Sequence, residues 1–205
     1  MTVIAFDVNE TLLDLRALDP LLGGAEQRTR WFAQMLQVAF VGGLTENYVD
    51  FPTAQRAALQ MLGIGGADEI AAAMRRLPLH PDVVPALDRL TGHTLVALTN
   101  SPLPVVTEQL THAGIADRFA AILSADQVAA LKPDARAYQL VAREFDVAIA
   151  EVRLVAAHGW DIAGALAAGC RAAFVARPGQ HLIPVGPQPD ITGDDLVAVA
   201  EQIAD

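Results

Sequence analysis

Apolar residues along the chain fall into two kinds of pattern. Val3–Val8, Thr94–Thr99, Arg153–Ala157 and Ala172–Ala176 are short runs that stay apolar instead of alternating, and Ala121–Ser124 is a weaker fifth. Strands buried on both faces read this way, as parallel strands covered by helices do. Between them lie stretches of helical periodicity: Asp82–Leu90, Val105–Ala113, Asp134–Phe145 and Asp161–Ala168. Strands alternating with helices predict an α/β fold, a doubly wound, Rossmann-like parallel sheet. Functional groups in such sheets collect beyond the carboxyl ends of the strands.

The rhythm breaks between Leu15 and Leu79. Three helical segments, Ala25–Val41, Glu46–Leu62 and Ala67–Leu77, follow one another with no strand between them. Gly42-Gly43 and Gly63–Gly66 read as turns, and Thr45 as the N-cap of the second helix. We therefore expect an α-helical cap domain, residues 15–79, inserted into a core domain made of residues 1–14 and 80–205. The proline-rich "RPGQHLIPVGPQPD" reads as a loop before a final helix, Asp194–Ile203.

Composition narrows the choice of partner. A chain of 205 residues buries roughly 70% of its unfolded surface and needs no staples. The single Cys170 excludes an internal disulfide and suits a reducing cytoplasm. A net charge of −10 argues against nucleic acid and anionic membrane. It leaves room for a small anionic substrate in a locally positive site. No basic segment precedes the first apolar run, and no run is long enough to span a bilayer, so a cytoplasmic location is expected.

The strand tips carry the candidate chemistry. "AFDVNET" contributes Asp7, Asn9 and Thr11, and "VALTNS" contributes Thr99, Asn100 and Ser101. "LKPDARAY" supplies Lys132, Asp134 and Tyr138, and "VAAHGWDIAGA" supplies His158, Trp160 and Asp161. An aspartate at the tip of a buried strand is costly unless donors or cations satisfy it. Each motif also has a plainer reading. Asp7, Thr99-Asn100 and Asp161 are good helix caps, Lys132-Pro133 is an ordinary loop, and Trp160 and Phe32 are natural packing residues. His158 reads either as a polar rim residue or as an adapted anion ligand. His80, His93, His112 and His181 lack metal-ligand spacing, and no metal site is assigned.

Taken in order, "FDVNETLLDL", "LTNSP", "KPDARAY" and "HGWDIAGA" resemble the haloacid dehalogenase-like hydrolase superfamily over essentially the whole chain. They are most similar to its type II L-2-haloacid dehalogenases. The resemblance implies that Asp7 is a nucleophile forming a covalent ester, which water then cleaves. It implies that Lys132 holds Asp7 ionised and that Thr11 and Thr99 supply hydroxyl hydrogen bonds. Asn100 would help bind a substrate carboxylate, and Asp161, with Tyr138 nearby, would position Lys132 or the hydrolytic water. Asn9, His158 and Trp160 would border the substrate. No cofactor is implied, and relatives often form homodimers.

Three departures bear on the reaction. Superfamily phosphatases carry an acid at the position of Asn9, which cannot donate a proton as a general acid. They also commonly carry a metal-ligating acid at the position of Ala157. Halide displacement needs neither. The dehalogenases, however, place a halide-binding arginine in the cap where Phe32 stands here, with Arg28, Arg30, Arg56 or His158 as the available substitutes. The expectation is metal-independent halide release from a short 2-haloalkanoate, an (S)-2-haloacid dehalogenase-like reaction. Its rivals are an Mg²⁺-dependent phosphatase on a small phosphometabolite and a catalytically weak relative that binds a small carboxylate.

Overall fold

The computed structural model describes residues 2–204. Among them, β1 (Val3–Phe6), β2 (Thr94–Thr99), β3 (Ala121–Ser124), β4 (Val152–Ala156), β5 (Arg171–Val175) and β6 (Ile191–Gly193) form one sheet in the order β3-β2-β1-β4-β5-β6. Every pairing is parallel; β1 pairs β2 through Val3↔Thr94 and β4 through Val3↔Val152. The chain starts at the centre, builds one side, then returns to build the other. The strand order thus reverses at β1, and the crevice beyond its carboxyl end is where such a sheet leaves room for a site.

Side chains of a strand alternate between faces, and the two faces of this sheet hold different layers. Ile4 and Phe6 join Leu95, Ala97, Val155 and Ala173 in one core. Val3 and Ala5 join Val96, Leu98, Leu154 and Ala172 in the other. The first core is closed by α5 (Val83–Arg89), α6 (Leu103–His112), α9 (Leu196–Ala204) and the helices after β1. The second is closed by α7 (Ala135–Glu144) and α8 (Gly159–Ala167). This double cover explains why the strands read as continuous apolar runs.

Between β1 and β2 the chain forms α1 (Asp19–Leu22), α2 (Ala25–Leu44), α3 (Phe51–Leu62) and α4 (Ala67–Met74). It leaves and returns through a short antiparallel contact, with Asp14 N donating to Pro78 O (2.8 Å) and His80 N to Leu12 O (2.9 Å). Trp31 and Met35 of α2 and Phe51, Ala54 and Ala58 of α3 are buried together. The Trp31 indole donates to Gln55 O at 3.2 Å, fixing α2 against α3.

Several expected boundaries move. Gly42-Gly43 is not a turn, since α2 continues to Leu44. A Cβ on Gly42 would lie 2.8 Å from Asn47 O, so glycine there admits the chain folding back past the helix. Thr45 is the C-cap of α2, its hydroxyl donating to Val41 O, rather than the N-cap of α3. That cap is Asp50, whose carboxylate accepts from Thr53 N at 2.7 Å. Pro52 in the first turn sets where the helix starts, so α3 begins at Phe51 instead of Glu46. The strand β6 had no sequence signal, because three residues are too few to show a period.

A buried arginine joins these pieces. Arg177, just after β5, pairs with both oxygens of Asp82 (2.9 and 2.8 Å) and donates to Thr11 O (2.8 Å). Asp82 also accepts from Leu196 N at the start of α9 (2.6 Å).

On α8, a Cβ at Gly164 would lie 2.4 Å from Pro133 Cβ and 2.6 Å from the Tyr138 hydroxyl. Overpacking of this kind costs about 1–3 kcal/mol. We expect Gly164→Ala to lower stability by that amount in denaturant titration. Gly43→Ala, where nothing lies within 4 Å, gains up to about 1 kcal/mol from helix propensity; equal effects at the two positions would contradict this packing.

Candidate active site

The tips of β1, β2 and β4 and the loop before α7 meet beyond β1. Asp7 extends the β1–β4 ladder by one bond, its N–H donating to Val155 O at 3.0 Å. Its side chain, just beyond the end of β1, is buried. Lys132 reaches it from the loop after β3, through the cis Lys132-Pro133 peptide. The ammonium donates to Asp7 Oδ1 (2.8 Å), Asp161 Oδ2 (2.6 Å) and Leu98 O (3.1 Å). An ammonium has three N–H donors, and all three are engaged.

The other Asp7 oxygen, Oδ2, accepts from the Thr11 hydroxyl at 2.7 Å and faces His158 Nδ1 at 3.3 Å. Thr11 Oγ in turn accepts from Ala157 N at 3.0 Å. Asp161, in the first turn of α8, is wholly buried; its Oδ1 accepts from the Tyr138 hydroxyl at 2.6 Å.

These contacts set the charges. Burial pushes the Asp7 carboxyl up, but the Lys132 ammonium and the His158 hydrogen bond outweigh it and hold the group well below the usual carboxylate range. Burial pulls Lys132 down, yet Asp161 and Asp7 together raise it. Asp161 is itself raised, by burial and by the charge of Asp7. Asp7 is thus the carboxylate kept ionised, while burial works against Asp161.

The remaining expected residues are near. Thr99 Oγ accepts from Ser101 N at 3.1 Å. Asn100 brackets the Lys132 backbone, accepting from Lys132 N (2.7 Å) and donating to Lys132 O (3.2 Å). Both ends of its amide therefore hold the loop that carries the ammonium. Asn9 donates to Ser101 Oγ (3.1 Å) and accepts from Gln109 Nε2 (3.1 Å), tying the turn after β1 to the loop before α6 and to the last turn of that helix. Gln109 carried no sequence signal, because its partner comes from the far end of the chain's first strand.

Aromatic rings close the site from above. Phe32 on α2 stacks on His158 with centroids 5.0 Å apart and planes at 12°. His158 stacks on Trp160 at 5.3 Å and 25°, and Phe40, eight positions beyond Phe32, meets Trp160 edge-on at 5.6 Å. His158 is buried, not a rim residue. Two buried nitrogens in this stack, His158 Nε2 and Trp160 Nε1, have no hydrogen-bond partner among the described residues. The arginines weighed against Phe32 lie elsewhere: Arg28 pairs with Asp19 (2.6 Å) and Glu10 (3.7 Å), Arg56 with Asp68 (2.8 Å), and Arg30 is exposed.

A divalent cation such as Mg²⁺ requires oxygen ligands. Here both Asp7 oxygens face hydrogen-bond donors, the Asn9 carbonyl faces Gln109, and position 157 is a buried alanine. Among the described residues no three His, Cys, Asp or Glu side chains are grouped to hold a metal. This donor set does not fit a resident cation. Among the same residues no helix is long and apolar enough to cross a membrane.

The model of the haloacid dehalogenase-like hydrolases matches residues 1–169, and the chain belongs to that family. It is 28% identical to the (S)-2-haloacid dehalogenase of Pseudomonas sp. (strain YL), over 97% of this chain and 92% of the relative. It is also 29% identical to the phosphoglycolate phosphatase of Vibrio vulnificus (strain CMCP6), over 98% and 95%. The structure of L-2-haloacid dehalogenase from Xanthobacter autotrophicus superposes with a TM-score of 0.90, covering 99% of this chain and 98% of that one at 24% identity. That likeness is one of fold. The protein is a haloacid dehalogenase-like hydrolase with a Rossmann-like core.

Replacing Lys132 by Met leaves Asp7 and Asp161 as two buried carboxylates with no ammonium. Breaking a buried pair in this way costs about 3–5 kcal/mol. Burial pushes both carboxyls up, and without the ammonium it acts against one main opponent fewer, so the penalty is largest at neutral pH and fades as pH falls and the pair takes up protons. Denaturant titrations should show a larger deficit for Lys132→Met at pH 7 than at pH 5; a deficit independent of pH would remove the charge argument.

Proposed function

We propose that this hydrolase removes halide from a short 2-haloalkanoate without a metal, through an ester on Asp7. The carrying observation is the Lys132 ammonium 2.8 Å from Asp7 Oδ1, which keeps a buried carboxylate ionised and hence nucleophilic. In the first step an Asp7 oxygen bonds to C2 of the substrate while the carbon–halogen bond breaks on the opposite side, inverting that carbon. A departing halide needs no proton. Asn9 in place of an acid therefore costs this reaction nothing, whereas it removes the leaving-group donor a phosphatase needs.

Residues 15–79 act in this reading as a cap that shuts water and bulk out of the crevice. The cap presents Phe32 and Phe40 to the substrate instead of a guanidinium. Losing one charge-stabilising donor commonly costs on the order of 10²–10³ in rate, so a slow dehalogenase is expected, acting on a small carboxylate.

The test measures halide release from chloro-, bromo- and fluoroacetate and 2-chloropropionate with and without Mg²⁺, then locates ¹⁸O after turnover in labelled water. We expect release unaffected by chelator, label in the Asp7 carboxylate, and a loss on the order of 10⁴-fold or more in Asp7→Ala. Mg²⁺-dependent hydrolysis of a phosphate ester with no halide release would favour a phosphatase instead.

A further inference from the structure

We infer that Arg177 and His80 are positioning residues for the reaction at Asp7: they clamp the strained turn that presents the Thr11 hydroxyl to the nucleophile. The inference rests on the ester reading above and goes past it, because that reading leaves open what fixes the plane of the attacking carboxylate.

The turn after β1 is held in a conformation its sequence does not favour. Glu10 has a φ of 67°, in the left-handed region, which costs a residue carrying a Cβ roughly 1–2 kcal/mol. Such a conformation persists only where the surroundings over-determine it. Within the turn, Glu10 N donates to Leu13 O (2.7 Å) and Leu12 N to Val8 O (2.8 Å). Two side chains from distant parts of the chain then take its carbonyls. His80, where the chain returns from the cap, meets Glu10 O through Nε2 at 3.1 Å; a carbonyl only accepts, so Nε2 carries the proton and donates. Arg177, after β5, donates to Thr11 O from Nε (3.2 Å) and Nη2 (2.8 Å). Both side chains are buried.

What they hold is the second of two handles on Asp7. Lys132 bonds Oδ1 at 2.8 Å and the Thr11 hydroxyl bonds Oδ2 at 2.7 Å. A carboxylate held at one oxygen can turn about its Cβ–Cγ axis. Held at both, it keeps one plane, and with it the direction in which a lone pair meets the substrate carbon. The longer His158 contact, 3.3 Å, falls on the same oxygen as the Thr11 bond. Thr11 Oγ accepts from Ala157 N, so the one proton of the hydroxyl is left for Asp7. Where that hydroxyl sits depends on the Thr11 backbone, and Arg177 fixes it.

Arg177 does so with a planar fork that lysine cannot copy. Its Nη1 meets both oxygens of Asp82, while Nε and Nη2 share Thr11 O. An ammonium in its place keeps a charge for Asp82 and loses the paired hold on Thr11 O. Arg177→Lys therefore separates the ion pair from the clamp. Arg153 is a matched comparison. It too is buried, pairs with both oxygens of an aspartate, Asp190 (2.7 and 2.8 Å), and donates to a strand carbonyl, Ala172 O, with no contact to the turn among these bonds.

The test is single-turnover rapid quench with bromoacetate, reading halide release and the mass of the Asp7 peptide across a range of substrate concentrations. Arg177→Lys should lower the maximal rate of ester formation by roughly 10–100-fold, with the half-saturating concentration unchanged. Arg153→Lys should keep the wild-type rate. Glu10→Gly, which enters the left-handed region without strain, should recover most of the lost rate when added to Arg177→Lys; a glycine in the turn would not mend the loss of an ion pair. A wild-type rate in Arg177→Lys, an equal loss in Arg153→Lys, a loss carried by the half-saturating concentration alone, or no recovery with Glu10→Gly overturns the clamp and leaves the ester reading intact. Should Arg177→Lys fail to fold, His80→Leu decides: a slower ester step recovered by Glu10→Gly supports the clamp, and a wild-type rate overturns it. A wild-type protein that forms no adduct with any of the four haloacids overturns both readings.

Discussion

The site depends on one ammonium group buried between two carboxylates. Taking a lysine out of water is costly and is tolerated only where partners replace the whole of its hydration. Lys132 has three: Asp7 from β1, Asp161 from α8 and the carbonyl of Leu98 from β2. Those elements are adjacent only because the sheet is wound outward from β1 in both directions. The ion triad and the strand order are therefore one constraint seen at two scales. A different order would leave at least one of the three charges uncompensated.

Most of the surrounding polar residues serve that constraint. Asn100 grips the backbone of Lys132, Tyr138 orients Asp161, and Gly164 lets Pro133 and Tyr138 approach α8. This division of labour leaves few polar side chains beside Asp7 uncommitted. Next to it stands a stack of rings, Phe32, His158 and Trp160, with Phe40 at its edge.

The parts of the molecule legible in the chain were those written in local pattern. Doubly buried strands announce themselves as unbroken apolar runs, and β2 and β3 begin and end at the expected residues. The order of the tip motifs placed Asp7, Lys132 and Asp161 on one rim, since a parallel sheet with helical crossovers leaves all strand ends on one side. Local chemistry was less dependable at helix ends, where Thr45 and Asp50 are both good caps and Pro52 decided between them.

Tertiary structure alone decided the rest, because those features are made by residues far apart in the chain. No local pattern marks Gln109 as the partner of Asn9, or Arg177 as the clasp between Asp82 and the Thr11 turn. His158 reads as a polar residue before a helix; it is the packing of α2 above it that buries the ring, stacks it between neighbours and leaves one nitrogen free. Periodicity and motif spacing carry which face a residue occupies and which strand end it follows. They carry no information on which hydrogen-bond valences remain open once the elements have packed.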